Sequence, residues 1–246
     1  MDLFYGKGLM SKKLYEKTYT TCGFGSGGGQ GPNPSKACQD ALNNMMTAVG
    51  PHNVYDIYDN CPQGPFGDES SSLGDFLVHA QGPTATNGRG GYSWTCGAML
   101  GLGPFFSNPS VAKALHLPEP NLSSFNYNQS GPASVTLYPD LVKNLRVLIY
   151  NGDADSCVPY IGNQEWTTGM EKEGHITETA AWHPWYMAPS NTGHIPTGYA
   201  TRYSVNGVPN HMFEFITIRM AGHMVPTFRP DAALAMFERW LAGGTF

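Results

Sequence analysis

The chain has 246 residues, with 14 Lys and Arg against 19 Asp and Glu and a formal net charge of −5. That length holds one domain with a sizeable core, or one domain and a smaller appendage. The acidic balance argues against nucleic-acid and anionic-membrane partners, which need clustered Lys and Arg. Charged residues make up only 13% while aromatic residues reach 12%. Such a chain is loop-rich and globular rather than disordered, and it has no run of the ~20 apolar residues that a membrane span needs.

In chain order, "MDLFYGKGLMSKKLYEK" lacks the basic, then apolar, then small-residue order of a signal peptide. "SKKLYEKTY" and "SKACQDALNNMMTAV" read as short helices opened by N-cap serines at Ser11 and Ser35. Between them "GFGSGGGQGPNP" is a flexible linker by composition. It is no phosphate loop, because it lacks both a strand before it and a Lys-Ser/Thr after it. "NVYDIYDN" reads as a strand with alternating aromatics. Four of the five cysteines, Cys22, Cys38, Cys61 and Cys96, fall in this Gly- and Pro-rich first hundred residues. Their clustering predicts the pairs Cys22–Cys38 and Cys61–Cys96, with Cys157 free, and hence an oxidising compartment. Two glycosylation sequons, at Asn121 and Asn128, point the same way.

From "NPSVAKALHLP" onward the pattern changes. "NLRVLIYNGDADSCVP" is an apolar, β-branched run ending at Asn-Gly, as in a buried parallel strand. A helix over "GNQEWTTGMEKEG" follows, then antiparallel ribbons within residues 180–208, the strand "FEFITIRM", and the helix "PDAALAMFERWLAG". Between those last two, "AGHMVPTFRP" reads as a loop, since neither a helix nor a strand should accommodate that Gly and Pro spacing. This alternation is that of an α/β sheet.

Two post-strand loops carry the candidate chemistry: Asp153 and Asp155 in one, His223 in the other. Functional groups of open α/β sheets gather beyond the C-terminal strand ends. A buried carboxylate that accepts from imidazole Nδ1–H fixes the tautomer of a general base. The residues alone do not choose between Asp153 and Asp155, and a turn-forming Asp remains an alternative for either. A calcium loop does not fit, because no distal Glu falls at the required spacing. His175, His183, His194 and His211 show no metal-ligand spacing, so no metal is expected.

Taken together, "VLIYNGDADSCVPYIGNQEW" and "FITIRMAGHMVPTFRPDAALAMFERWL" resemble the two C-terminal signature regions of the serine carboxypeptidases. "FYGKGLMSKKLYEK", "NVYDIYDNC" and "NPSVAKALHLP" resemble that family's cap region and the return to its core. The resemblance covers nearly the whole chain but only about the C-terminal half of a family member. It implies the C-terminal part of an α/β-hydrolase sheet, with residues 1–107 as a loop-rich, disulfide-containing part of the cap and residues 108–246 as core. It further implies that Asp155 is the triad aspartate, that Asp153 shapes the loop, that His223 is the general base, and that Met224 borders the leaving-group side of the substrate pocket.

The family's nucleophile elbow and oxyanion stretch have no counterpart here. No serine satisfies G-x-S-x-G; Ser26 and Ser93 miss the spacing. The expectation is a serine-type carboxypeptidase portion acting on peptides, inactive without its N-terminal half, needing no cofactor, and located in the secretory pathway, the lysosome or vacuole, or outside the cell. The missing half is a separate chain or lost by truncation, and the opening Met favours truncation or an incomplete gene model. The rivals are an acyltransferase on the same scaffold and a non-catalytic partner of a full-length relative.

Overall fold

The computed structural model describes residues 1–24, 34–50, 52–58, 105–116, 131–188 and 194–246. Cys61, Cys96, Asn121, Asn128, Ser26, Ser93 and the Gly-rich linker lie outside the described residues. Those described form two compact units, Met1–His52 and Asn53–Phe246.

The first unit contains α1 (Asp2–Gly6), α2 (Lys12–Cys22) and α3 (Lys36–Val49). Both predicted N-caps are in place: Ser11 Oγ accepts from the Leu14 amide at 3.3 Å and Ser35 Oγ from the Cys38 amide at 3.3 Å. These bonds satisfy amides that the first helical turn leaves without partners. Cys22 and Cys38 are buried and disulfide-bonded, with Cα atoms 4.8 Å apart. The bridge closes a short loop, worth about 3 kcal/mol in the chain-entropy account.

In the second unit, α4 (Pro109–Ala114), a 3₁₀ turn (Ser134–Leu137) and α5 (Tyr138–Asn144) lead into β1 (Val147–Gly152). Then come α6 (Tyr160–Lys172), β2 (Ile176–Trp185), β3 (Gly198–Val205), β4 (Met212–Ile218), α7 (Val225–Phe228) and α8 (Pro230–Leu241). The sheet order is β1-β4-β3-β2. β1 runs parallel to β4, while β2, β3 and β4 are antiparallel neighbours.

Period-two alternation along β4 feeds two cores. Ile216 and Ile218 pack with Trp185, Phe228, Ala232 and Met236 on one face. Phe213 packs with Val142, Met170, Ile176 and Tyr203 on the other. β4 is thus largely apolar on both faces; its acid, Glu214, is fully buried, faces Arg202 across the β3–β4 ladder and accepts from its Nε at 3.1 Å.

Two expectations are corrected. Over its described residues 53–58, "NVYDIYDN" is not a strand but a tight turn with an isolated bridge between Asn53 and Asp56. Asn53 Oδ1 accepts from the Tyr55 amide at 3.0 Å and Asp56 Oδ1 from the Tyr58 amide at 2.9 Å. Each side chain thereby closes the backbone locally and overrides the strand preference of the aromatics. Nor is "AGHMVPTFRP" loop throughout. Val225–Phe228 forms one helical turn with Pro226 in its first positions, where a missing N–H costs nothing.

Candidate active site

β1 ends at Gly152 beside Ile218, the end of β4, so both candidate loops leave the sheet at the same edge. Backbone bonds then lace them together. The Asp153 amide donates to Ile218 O at 3.0 Å and the Ala154 amide to Ala221 O at 2.9 Å. Asp153 Oδ1 accepts from the Met220 amide at 2.6 Å. Met220 has a φ of 57°, a left-handed conformation uncommon for a non-glycine residue, and the Asp153 bond holds its amide there. Asp153 therefore shapes the loop.

Asp155 is buried, and its carboxylate is divided between two tasks. Oδ1 accepts from the amides of Cys157 at 2.8 Å and Val158 at 3.1 Å. Oδ2 lies 2.8 Å from His223 Nδ1. The His223 side chain is 40% exposed against 2% for that of Asp155. A buried carboxylate with one oxygen held by amides directs the other at Nδ1–H, and this leaves Nε2 as the basic nitrogen on the far edge of the ring. Such a pair can accept a proton from a hydroxyl and stabilise the resulting imidazolium.

Met224 follows directly, half-buried at the N-cap of α7, with its carbonyl accepting from Thr227 and Phe228. Cys157 is exposed with a free thiol. The other histidines are spread over the unit: His175 contacts Glu173, His183 lies by Phe246 O, and His211 by Val142 O. No cluster of three potential metal ligands occurs among the described residues.

A serine carboxypeptidase family model matches residues 1–243. The chain belongs to the serine carboxypeptidase family. Similar relatives include serine carboxypeptidase-like 21 of Arabidopsis thaliana, 29% identical across 97% of this chain and 53% of the relative. Serine carboxypeptidase 1 of Hordeum vulgare is 23% identical across 97% and 52%. The lysosomal protective protein of Mus musculus is 26% identical across 96% and 53%. The chain spans about half the length of these curated relatives.

As a serine carboxypeptidase family chain, it carries a mixed sheet consistent with the C-terminal part of an α/β-hydrolase fold. Within it the structure brings together Asp155, His223 and, by adjacency, Met224. Sequence reading missed the turn beneath them: the His223 amide donates to Tyr55 O at 2.7 Å. The Asn and Asp spacing in "NVYD" was the available signal, since both residues close turns with their own side chains.

Proposed function

We propose that this chain is the C-terminal portion of a serine carboxypeptidase, supplying the Asp and His of the triad to an enzyme that releases C-terminal residues from peptides through an acyl-enzyme. The observation that carries this reading is the 2.8 Å contact between His223 Nδ1 and the buried Asp155. In it, His223 Nε2 takes the proton of a serine hydroxyl, returns it to the leaving amine, and then activates water. Asp155 holds the ring and balances the imidazolium. Met224 borders the leaving-group pocket.

The serine and the oxyanion donors come from an N-terminal half, carried on the same precursor or on a second chain, since no G-x-S-x-G occurs in the 246 residues. Residues 1–107 belong to the cap and 108–246 to the core. The Cys22–Cys38 bridge supports an oxidising, secretory-pathway setting, with Asn121 and Asn128 as glycosylation sites.

Expressed alone, the chain is expected to show no hydrolysis of blocked dipeptides and no labelling by a serine-directed phosphonate. Co-expression with a family N-terminal half should restore hydrolysis. His223→Ala should then remove it by a factor on the order of 10⁴, and Asp155→Asn by somewhat less. Phosphonate labelling of the lone chain at Ser26 or Ser93 would overturn the reading.

A further inference from the structure

We propose that the turn Asn53–Tyr58 positions the Asp155–His223 pair, joining the two loops so that the imidazole stays on the carboxylate; its catalytic meaning rests on the reading above. Strand pairing ends at Gly152 and Ile218, three residues before Asp155 and five before His223. The last stretch of each loop therefore needs another anchor, and the turn provides it from three backbone groups. Val54 O accepts from both the amide and the hydroxyl of Ser156, at 3.0 and 2.8 Å. The Ile57 amide donates to Ala154 O at 3.0 Å, and Tyr55 O accepts from the His223 amide at 2.7 Å. The residues on both sides of Asp155, and His223 itself, are thus tied to Val54, Tyr55 and Ile57 of a single turn.

The approach is close enough to demand glycine next to the histidine. A Cβ on Gly222 would lie 2.0 Å from Tyr55 O and 2.7 Å from Asp56 Cβ. The turn is itself braced from within, because Asn53 and Asp56 are buried and each holds an amide two residues on. Its Tyr55 ring stands 5.4 Å from the His223 ring at an interplanar angle of 49°, which limits rotation of the imidazole about its own side-chain bonds. The turn's hydrogen bonds to the two loops all come from its backbone groups, so its role is geometric.

The test uses the chain co-expressed with a family N-terminal half, as the one-to-one complex. Proton NMR of the His223 Nδ1–H and amide exchange at His223 are measured in Asn53→Ala and Asp56→Ala, beside the conservative Asn53→Asp and Asp56→Asn. The alanine variants are expected to broaden or abolish the Nδ1–H signal and to speed His223 amide exchange about tenfold, the scale of one lost hydrogen bond. The conservative variants, which keep the accepting oxygen, should retain both, and the His211 ring signal should be unmoved throughout. Folded alanine variants with an unchanged His223 signal would overturn the proposal. So would open-loop exchange of the His223 amide in the unaltered chain, a measurement that needs no variant to fold. In the reconstituted enzyme the alanine variants should lower kcat about 10²-fold with KM unchanged, the scale of a 1 Å misplacement. Absence of activity with the unaltered chain would sink the carboxypeptidase reading and leave the spectroscopic result standing.

Discussion

Gly152 closes β1 where no side chain fits. A Cβ there would lie 2.1 Å from Ala221 O and 2.3 Å from Gly222 O, both backbone atoms of the loop that presents His223. Gly152→Ala should therefore push the His loop off the sheet and destabilise by about 3 kcal/mol, read from urea unfolding of the complex with a family N-terminal half. Gly169, inside α6 with nothing within 4 Å of its missing Cβ, is the opposite case. Gly169→Ala should stabilise by roughly 0.5–1 kcal/mol, because alanine loses less backbone entropy in a helix. Equal effects at the two positions would refute the close-approach account. At this scale the sequence was partly legible. Its two post-strand loops could be paired as chemistry, but Asp153 and Asp155 could not be told apart from residue type. That choice turns on which carboxylate meets an imidazole and which a backbone amide, and both are tertiary contacts.

At the scale of the element, Glu214 is an acid set inside the largely apolar β4. It is fully buried, and its Oε1 accepts from Arg202 Nε at 3.1 Å and from the Phe246 amide at 3.1 Å. Arg202→Met leaves this carboxylate without its cation and should cost about 3 kcal/mol. A melting temperature of the complex with a family N-terminal half within a degree of the parent complex would show that the ion pair contributes nothing. At the start of α8, Asp231 is held below the ordinary carboxylate range, chiefly by hydrogen bonds from Arg229, with burial opposing and the Ala232 amide assisting. A carboxyl whose folded pKa is depressed stabilises above its unfolded value, here 3.8, and that contribution disappears as pH falls through the lower folded value. Asp231→Asn should therefore flatten the acid-unfolding curve below about pH 4. The change is a few tenths of a kcal/mol, since the pair is largely solvent-screened. Helices with serine caps and the ribbon strands were legible because their signals are local. The "NVYDIYDN" turn was misread because its aromatic alternation mimics a strand, while two Asx side chains decide the backbone.

For the whole molecule, β1 is a sheet edge among the described residues, yet its residues 147–150 are apolar on both faces, as in a strand covered on both sides. Beside it a cavity of about 730 Å³ is lined by residues including Leu148, Tyr150, Pro226, Leu234, Phe237 and Trp240. Leu234 and Phe237 are exposed. The chain alone is therefore expected to bind hydrophobic dyes, aggregate and melt without cooperativity. Co-expression with a family N-terminal half should give a soluble one-to-one complex. A soluble monomer with a sharp melt would count against the half-enzyme account. The sequence by itself determined the α/β alternation, the helix caps and the two signature loops, because these rest on spacing and residue type within a few turns of chain. Only the tertiary structure decided that β1 and β4 are parallel neighbours, that Asp155 rather than Asp153 meets His223, and that the turn at Asn53–Tyr58 braces both loops. Those outcomes depend on strand order and backbone contacts between segments up to 168 residues apart, and no local pattern encodes them.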